Sequence, residues 1–361
     1  MRSTRRRTWF LTLTAATVGF AALAGPALAC GGVFSQNGEV NLTRTTTLAG
    51  YANGVEHYVT AFEFAGAGGA FGSIVPLPGV PTSVEEGGEW TLQRLVKEVT
   101  PVPPQARLEF AASAAAGDSA EILLETRVGA LDLTVLKGGA QAVGKWAVDN
   151  GFLLTADAPE VLDFYARRSP IFLAARFDAA AVVDKGVNVG DGTPVHITIP
   201  TDNPWVPLRI LGLGRQNGER IDADVFVLTE LKPTLLAGRD SAGVVLDRQV
   251  PATDALLTDL RSDKGMEWLP QSMWLSYLKV AAAPSELTYD LAIDATGAGQ
   301  PSAEAAGLLG AGETGNTDGG LLGTATADDA KGAGRTAAFV GIAGLVVVGV
   351  AGGVALAYRR R

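Results

Sequence analysis

The 361-residue chain has one cysteine, Cys30, and two histidines, His57 and His196. So few soft ligands exclude a disulfide-built scaffold and a Cys-ligated zinc module. Neither H-E-x-x-H nor G-x-S-x-G occurs, which removes two simple hydrolase signatures. Glycine is abundant at 45 residues but lacks the G-X-Y period of collagen. Basic residues are also short, 29 Lys and Arg against 38 Asp and Glu, for a net charge of −9. Setting aside the four Arg before residue 30 and the three after residue 335 leaves 22 basic residues against 38 acidic ones between Cys30 and Arg335, a net −16. A body this acidic disfavours nucleic acid and anionic lipid surfaces as partners, and leaves cations and basic proteins. With a single Cys, its core must come from packing.

Both ends carry the pattern of membrane targeting. Residues 1–29 have the three parts of a secretory signal: Arg2, Arg5, Arg6 and Arg7, an apolar run from Trp9 to Leu23, and the small-residue triplet Ala27-Leu28-Ala29. Cleavage between Ala29 and Cys30 is expected. A first mature Cys also raises acylation of Cys30, although Ala27 stands where lipoprotein signals usually carry Leu. Arg6-Arg7 before Thr8-Trp9-Phe10 loosely fits a twin-arginine signal. At the other end Thr336 to Tyr358 is free of charge, and at 1.5 Å rise per residue spans about 35 Å, enough for a hydrocarbon core of about 30 Å. Arg359, Arg360 and Arg361 follow, and the positive-inside bias places them in the cytoplasm with the body outside. Gly349 and Gly353 form a GxxxG pair, a weak dimerisation signal in so Gly-rich a segment.

From Ala295 to Arg335, Gly and Ala fill 21 of 41 positions. Such a stretch buries too little to offset its ordering entropy and is expected as a flexible stalk, with an r.m.s. span of about 35 Å. Ala111 to Ser119 is expected as a surface loop. Strand-type alternation occurs at 57–64, 130–136, 195–199 and 223–228, each expected as a strand with one buried face. Helical spacing occurs at Leu92, Leu95, Val96 and Val99 before Pro101, at Val143, Trp146 and Ala147 before Asn150-Gly151, and from Asp157 as N-cap through Pro159, Val161, Leu162 and Tyr165. The fold class expected is α+β: a β-rich extracytoplasmic domain over 30–294 with a few short helices, plus one C-terminal transmembrane helix at 336–358 and a basic cytoplasmic end at 359–361.

The middle of the chain resembles a known family. Arg127 to Leu136 (RVGALDLTVL), Trp146 to Phe152 (WAVDNGF) and Val161 to Arg176 (VLDFYARRSPIFLAAR) are similar, in this order, to the bacterial family called domain of unknown function 2330. Cys30-Gly31-Gly32-Val33-Phe34, Gly72 to Pro78, and Ile199 to Pro204 with Pro207-Leu208-Arg209 extend the resemblance over roughly residues 30 to 290. It implies an exported protein, in some members membrane-anchored. Many members carry a second Cys shortly after Cys-Gly-Gly where this chain has Ser35, which puts an N-terminal disulfide in doubt. The family has no assigned activity, so it implies no catalytic residues.

His57 and His196 each lie in an alternating strand. A metal site would need both to meet in space together with a carboxylate. Serines in Gly117-Asp118-Ser119 and Asp240-Ser241-Ala242-Gly243 read as turns, although a triad assembled only by the fold stays open. Glu85, Glu86 and Glu89, with Asp178, Asp184 and Asp191, read as solvated surface, and Asp184 to Asn188 departs from the EF-hand pattern. Trp268, Met273, Trp274 and Tyr277 form either an aromatic platform or core, as does Trp205. Asn41-Leu42-Thr43 is a bare sequon. No catalytic, cofactor-binding or metal-ligating residue is assigned and no cofactor is expected. The functional expectation is a single-pass surface protein acting as an interaction or envelope-structural module. Its partners are the membrane, through the C-terminal helix, and an envelope protein, with no nucleic acid. The alternatives are a tethered envelope hydrolase with a non-local site, or a binding component working with a transporter.

Overall fold

A two-residue turn starts the largest sheet. In the computed structural model, β2 (Thr45–Ala52) and β3 (Val55–Ala61) are joined by Asn53 at φ 54° and Gly54 at φ 77°. This is the doubly positive pair that a type I′ hairpin turn requires and that Asn-Gly supplies cheaply. The structure describes residues 32–35, 45–61, 71–100, 121–129, 131–177, 194–216, 218–236 and 243–308. Before the hairpin lies β1 (Gly32–Ser35), and after it β4 (Phe71–Pro76), β5 (Ser83–Glu86), β6 (Glu121–Val128), β7 (Leu131–Lys137) and β8 (Ile171–Phe177). The remaining strands are β9 (Pro194–Pro200), β10 (Trp205–Val206), β11 (Ile221–Thr229), β12 (Thr234–Leu236), β13 (Val244–Pro251), β14 (Trp274–Ala282) and β15 (Leu291–Asp294). Among the described residues four α-helices accompany them: α1 (Thr91–Val99), α2 (Ala140–Asp149), α3 (Ala158–Ala166) and α4 (Asp254–Arg261).

The strands form a seven-stranded sheet in the order β13-β14-β11-β2-β3-β9-β5, a five-stranded sheet β1-β4-β8-β7-β6 and a small sheet β10-β15-β12. All pairs are antiparallel except β11 with β2. One face of the seven-stranded sheet, with Tyr58, Ile197, Val225 and Val227, packs on Val75, Leu133, Leu173 and Ala175 of the five-stranded sheet. The opposite face of the five-stranded sheet, with Ile74, Leu136 and Phe172, is covered by Val143 and Trp146 of α2 and Val161, Leu162 and Tyr165 of α3. The outer face of the seven-stranded sheet, with Leu48, Val59, Phe226 and Leu275, is covered by Leu92 and Leu95 of α1, by Leu256, Leu257 and Leu260 of α4, and by Met266, Leu269 and Met273. The order is helices, sheet, sheet, helices. This is the expected β-rich α+β body with few helices.

That layering corrects one expectation. The alternating strands were to have one wet face, but β11 is buried almost throughout because α1 and α4 dry its second face, and the inner face of β3 carries a fully buried Glu56. The polar members of the alternation are therefore inside, and some are satisfied there: Tyr277 donates to Asp224 at 2.7 Å.

Local chemistry explains the helix ends. α2 stops at Gly151, φ 83°, where Phe152 N–H reaches back to Ala147 O at 2.9 Å, a left-handed glycine stop. α1 ends at Thr100, pushed to extended backbone before Pro101. α4 is capped by Thr253, whose hydroxyl accepts from Leu256 N–H. Asp157 stands at the N-cap of α3 as expected, but its carboxylate accepts from Gly214 N–H and not from its own helix.

Residues 295–308 also differ from expectation. Asp294 accepts from Thr296 N–H and Gln300 N–H, Ala306 is fully buried, and Ala306 O accepts from Asp290 N–H. This part of the Gly/Ala-rich stretch packs on the body. Residues 309–335, the Ala111–Ser119 loop and both chain ends, including Ala29 and Cys30, lie outside the described residues. Among the described residues no helix is long and apolar enough to cross a membrane, and Thr336–Tyr358 lies outside them.

Candidate functional site

The only two imidazoles meet, although 139 positions separate them. β3 and β9 pair antiparallel with His57 opposite Thr198 and His196 opposite Val59, so the two His sit diagonally on the outer, helix-covered face. His57 Nδ1 and His196 Nε2 are 3.0 Å apart and share a hydrogen bond whose direction follows the tautomers. The Trp268 indole lies flat on His57, with ring centroids 3.9 Å apart and planes 2° from parallel. That stack requires a glycine underneath: Gly50, opposite His57 on β2, is where a Cβ would fall 2.2 Å from the Trp268 ring. Gly265, φ +76°, similarly lets the chain pass over His196, where a Cβ would lie 3.1 Å from Nδ1.

Burial governs the electrostatics of this pair. His57 is lowered to about 3, first by desolvation and then by His196 beside it, so both rings are neutral at neutral pH. His196 is also lowered by desolvation, opposed by the carboxylates of Glu85 and Glu267. Glu85 faces His196 directly across the β5–β9 pair, at the sheet's edge strand, and both glutamates are exposed. Among the described residues no three His, Cys, Asp or Glu side chains converge as a metal cluster. Each His has the other as its hydrogen-bond partner, and no serine or carboxylate stands within hydrogen-bond reach of either among the described residues.

Glu56 lies next to His57 in sequence but on the other face of β3. It is fully buried, desolvation pushes its carboxyl up to about 8 against a weaker pull from the backbone N–H of Trp205, and neither oxygen completes a well-formed hydrogen bond among the described residues. At neutral pH it is largely protonated.

A second buried polar node centres on Asp290 and Arg168. Asp290 accepts from Tyr165 Oη–H, Leu208 N–H and Arg209 N–H and pairs with Arg168, whose guanidinium lies over Phe164 and also donates to Ala305 O. Tyr165 Oη in turn accepts from Ile210 N–H.

Other sequence candidates resolve simply. Trp205, Met273 and Tyr277 are buried in the core, and Glu85, Glu86 and Glu89 are solvated. Asp178, Asp184, Asp191, Ser119, Ser241 and Asn41 lie outside the described residues. Glu267 was not singled out in the sequence. Nothing local marks it, because its relation to His196 exists only once Met266–Leu269 folds over the sheet.

The family model described as "uncharacterized protein conserved in bacteria (DUF2330)" matches residues 24–233, more than half of the chain. The chain belongs to the DUF2330 family. That description names no activity, so the match assigns none to the His pair, which falls inside the matched region. No curated protein matches the sequence. Among solved structures, that of baculovirus P35 aligns with a TM-score of 0.42 at 8% identity, covering 73% of this chain and 99% of P35. A mutated baculovirus P35 after caspase cleavage aligns at 0.36, again at 8% identity, covering 71% of this chain and 99% of that one. At these scores no functional argument follows.

Proposed function

We propose that this DUF2330 protein is an exported, single-pass membrane protein whose acidic body acts outside the cytoplasm as an interaction module. The leader ending at Ala29, the uncharged run from Thr336 to Tyr358 and the terminal Arg359-Arg360-Arg361 support the export and the anchor. One observation carries the interaction reading. On the last turn of α2 and just after it, Val148, Leu153 and Leu154 are 55%, 61% and 37% exposed, an apolar corner at the end of this helix. Clustered exposed apolar side chains of this kind mark contact surfaces more often than isolated ones do.

The test is crosslinking on intact cells with tagged full-length protein, a form lacking residues 336–361, and the triple variant Val148→Ser, Leu153→Ser, Leu154→Ser. The expected result is a discrete envelope protein captured by the anchored wild type and lost in the triple variant, with the truncated form released from the membrane. Capture of the same partner by the triple variant overturns the role of this corner. A body protected from protease added to intact cells overturns the exported topology.

A further inference from the structure

Three neighbouring strands place the same chemistry on one sheet face. β3 contributes His57, β9 contributes His196 and the edge strand β5 contributes Glu85 directly opposite His196. The segment that lies over them adds Glu267 beside the Trp268 that stacks on His57. We propose that this face binds one divalent transition-metal ion of the zinc class, with His57 Nδ1 and His196 Nε2 as ligands and the carboxylate of Glu85 or Glu267 as the third.

Tetrahedral coordination with metal–nitrogen bonds of about 2.0–2.1 Å separates two ligating nitrogens by about 3.4 Å. The two ring nitrogens stand 3.0 Å apart, so a few tenths of an ångström of ring movement opens the gap to fit an ion. Directly opposed residues on an antiparallel pair have Cβ atoms about 4.5–5.5 Å apart, within reach of a long, exposed glutamate side chain that rotates toward the pair. Because the carboxylates have not converged, the third ligand arrives by that rotation and water completes the shell. Two imidazoles favour zinc, copper, nickel or cobalt over calcium and magnesium, which take oxygen donors. The proton balance closes without release: the ring that donates in the free pair moves its proton to its outer nitrogen, and both inner nitrogens then offer lone pairs to the metal.

The test uses the full-length protein in detergent, carrying Cys30→Ser and no histidine tag, stripped with chelator. Zinc chloride is titrated by calorimetry and cobalt chloride by tryptophan fluorescence and visible absorption. One equivalent of zinc should bind. Cobalt should quench the indole stacked on His57, and Trp268→Phe should remove that part of the quenching while keeping the affinity. His57→Asn and His196→Asn should each weaken binding by roughly tenfold or more, and Glu85→Gln or Glu267→Gln, whichever weakens it, identifies the third ligand. Absence of a saturable equivalent on the folded wild type overturns the proposal. So does quenching that persists unchanged in Trp268→Phe, which places the metal elsewhere without relying on a variant that fails to fold.

Discussion

Glu56 is the residue whose environment conflicts most with its charge. Unfolded, its carboxyl titrates near 4.5, and folded, burial pushes it up to about 8. Between these values the native state holds a proton that the unfolded state has released, so stability falls as pH rises through this window and levels off above it. His57 acts in the opposite sense on the acid side. Its folded ring, lowered to about 3, stays neutral while the unfolded ring protonates below 6.5, and its contribution is lost as pH drops. Glu56→Gln deletes the first slope and leaves the second. The variant should exceed wild type by roughly 2–4 kcal/mol at high pH, the cost of the buried charge less that of an unsatisfied amide. Below 4.5, where both side chains are neutral, wild type should be equal or better. Urea unfolding of the full-length protein, followed by tryptophan fluorescence across pH, checks this. Parallel pH profiles would mean that Glu56 is charged and paired in the native state.

At the scale of elements, α1 is held at its start by a residue from the far end of the chain. Its N-cap position is Trp90, which offers no capping side chain, and the Trp90 and Thr91 N–H groups with the Thr91 hydroxyl all donate to Asp263 Oδ2, at 3.1, 2.7 and 2.7 Å. Gly88 leaves room for that carboxylate, since a Cβ there would fall 2.1 Å from it. Asp263→Ala should cost about 2–3 kcal/mol, because it strands buried donors. Gly88→Ala should cost a similar amount, and the double variant should cost clearly less than the two together, because both remove one interaction. Unfolding free energies complete the cycle, and additive costs would show that Gly88 and Asp263 act separately. This cap also marks how far the sequence can be read. The α1 stripe of Leu92 and Leu95, the Asn150-Gly151 stop and the alternation of β7, β9 and β11 are local patterns, and each produced its element. Asn53-Gly54 and Thr253 ahead of Leu256, Leu257 and Leu260 were equally local signals of a hairpin and of α4 that went unused. The Asp263 cap and the His57–His196 pair depend on contacts 172 and 139 positions apart, which no periodicity encodes.

At the scale of the whole molecule, composition misplaced the end of the body. Small residues suggested a stalk from Ala295, because Gly and Ala bury little and cost much to order. Ala, however, fits where a larger side chain would not. Ala305 and Ala306 pack beside α3, their carbonyls accept from Arg168 and from Asp290 N–H, and Gly307, at φ +74°, allows the chain to press on Phe164 and Arg168. Residues 301–308 thus close the node that ties α3 to the turn after β10 and to β15. A body ending at Asp294 leaves Arg168 and Asp290 N–H each short of a partner and uncovers Phe164, a loss of about 3 kcal/mol at 1–3 kcal/mol per stranded group. For a chain of this size that corresponds to a drop in Tm of roughly 5–10 °C. Chains spanning 30–308 and 30–294, compared by thermal unfolding, should differ by this amount, with Arg168→Lys lowering the longer chain toward the shorter one. Equal midpoints would return the end of the folded body to Asp294.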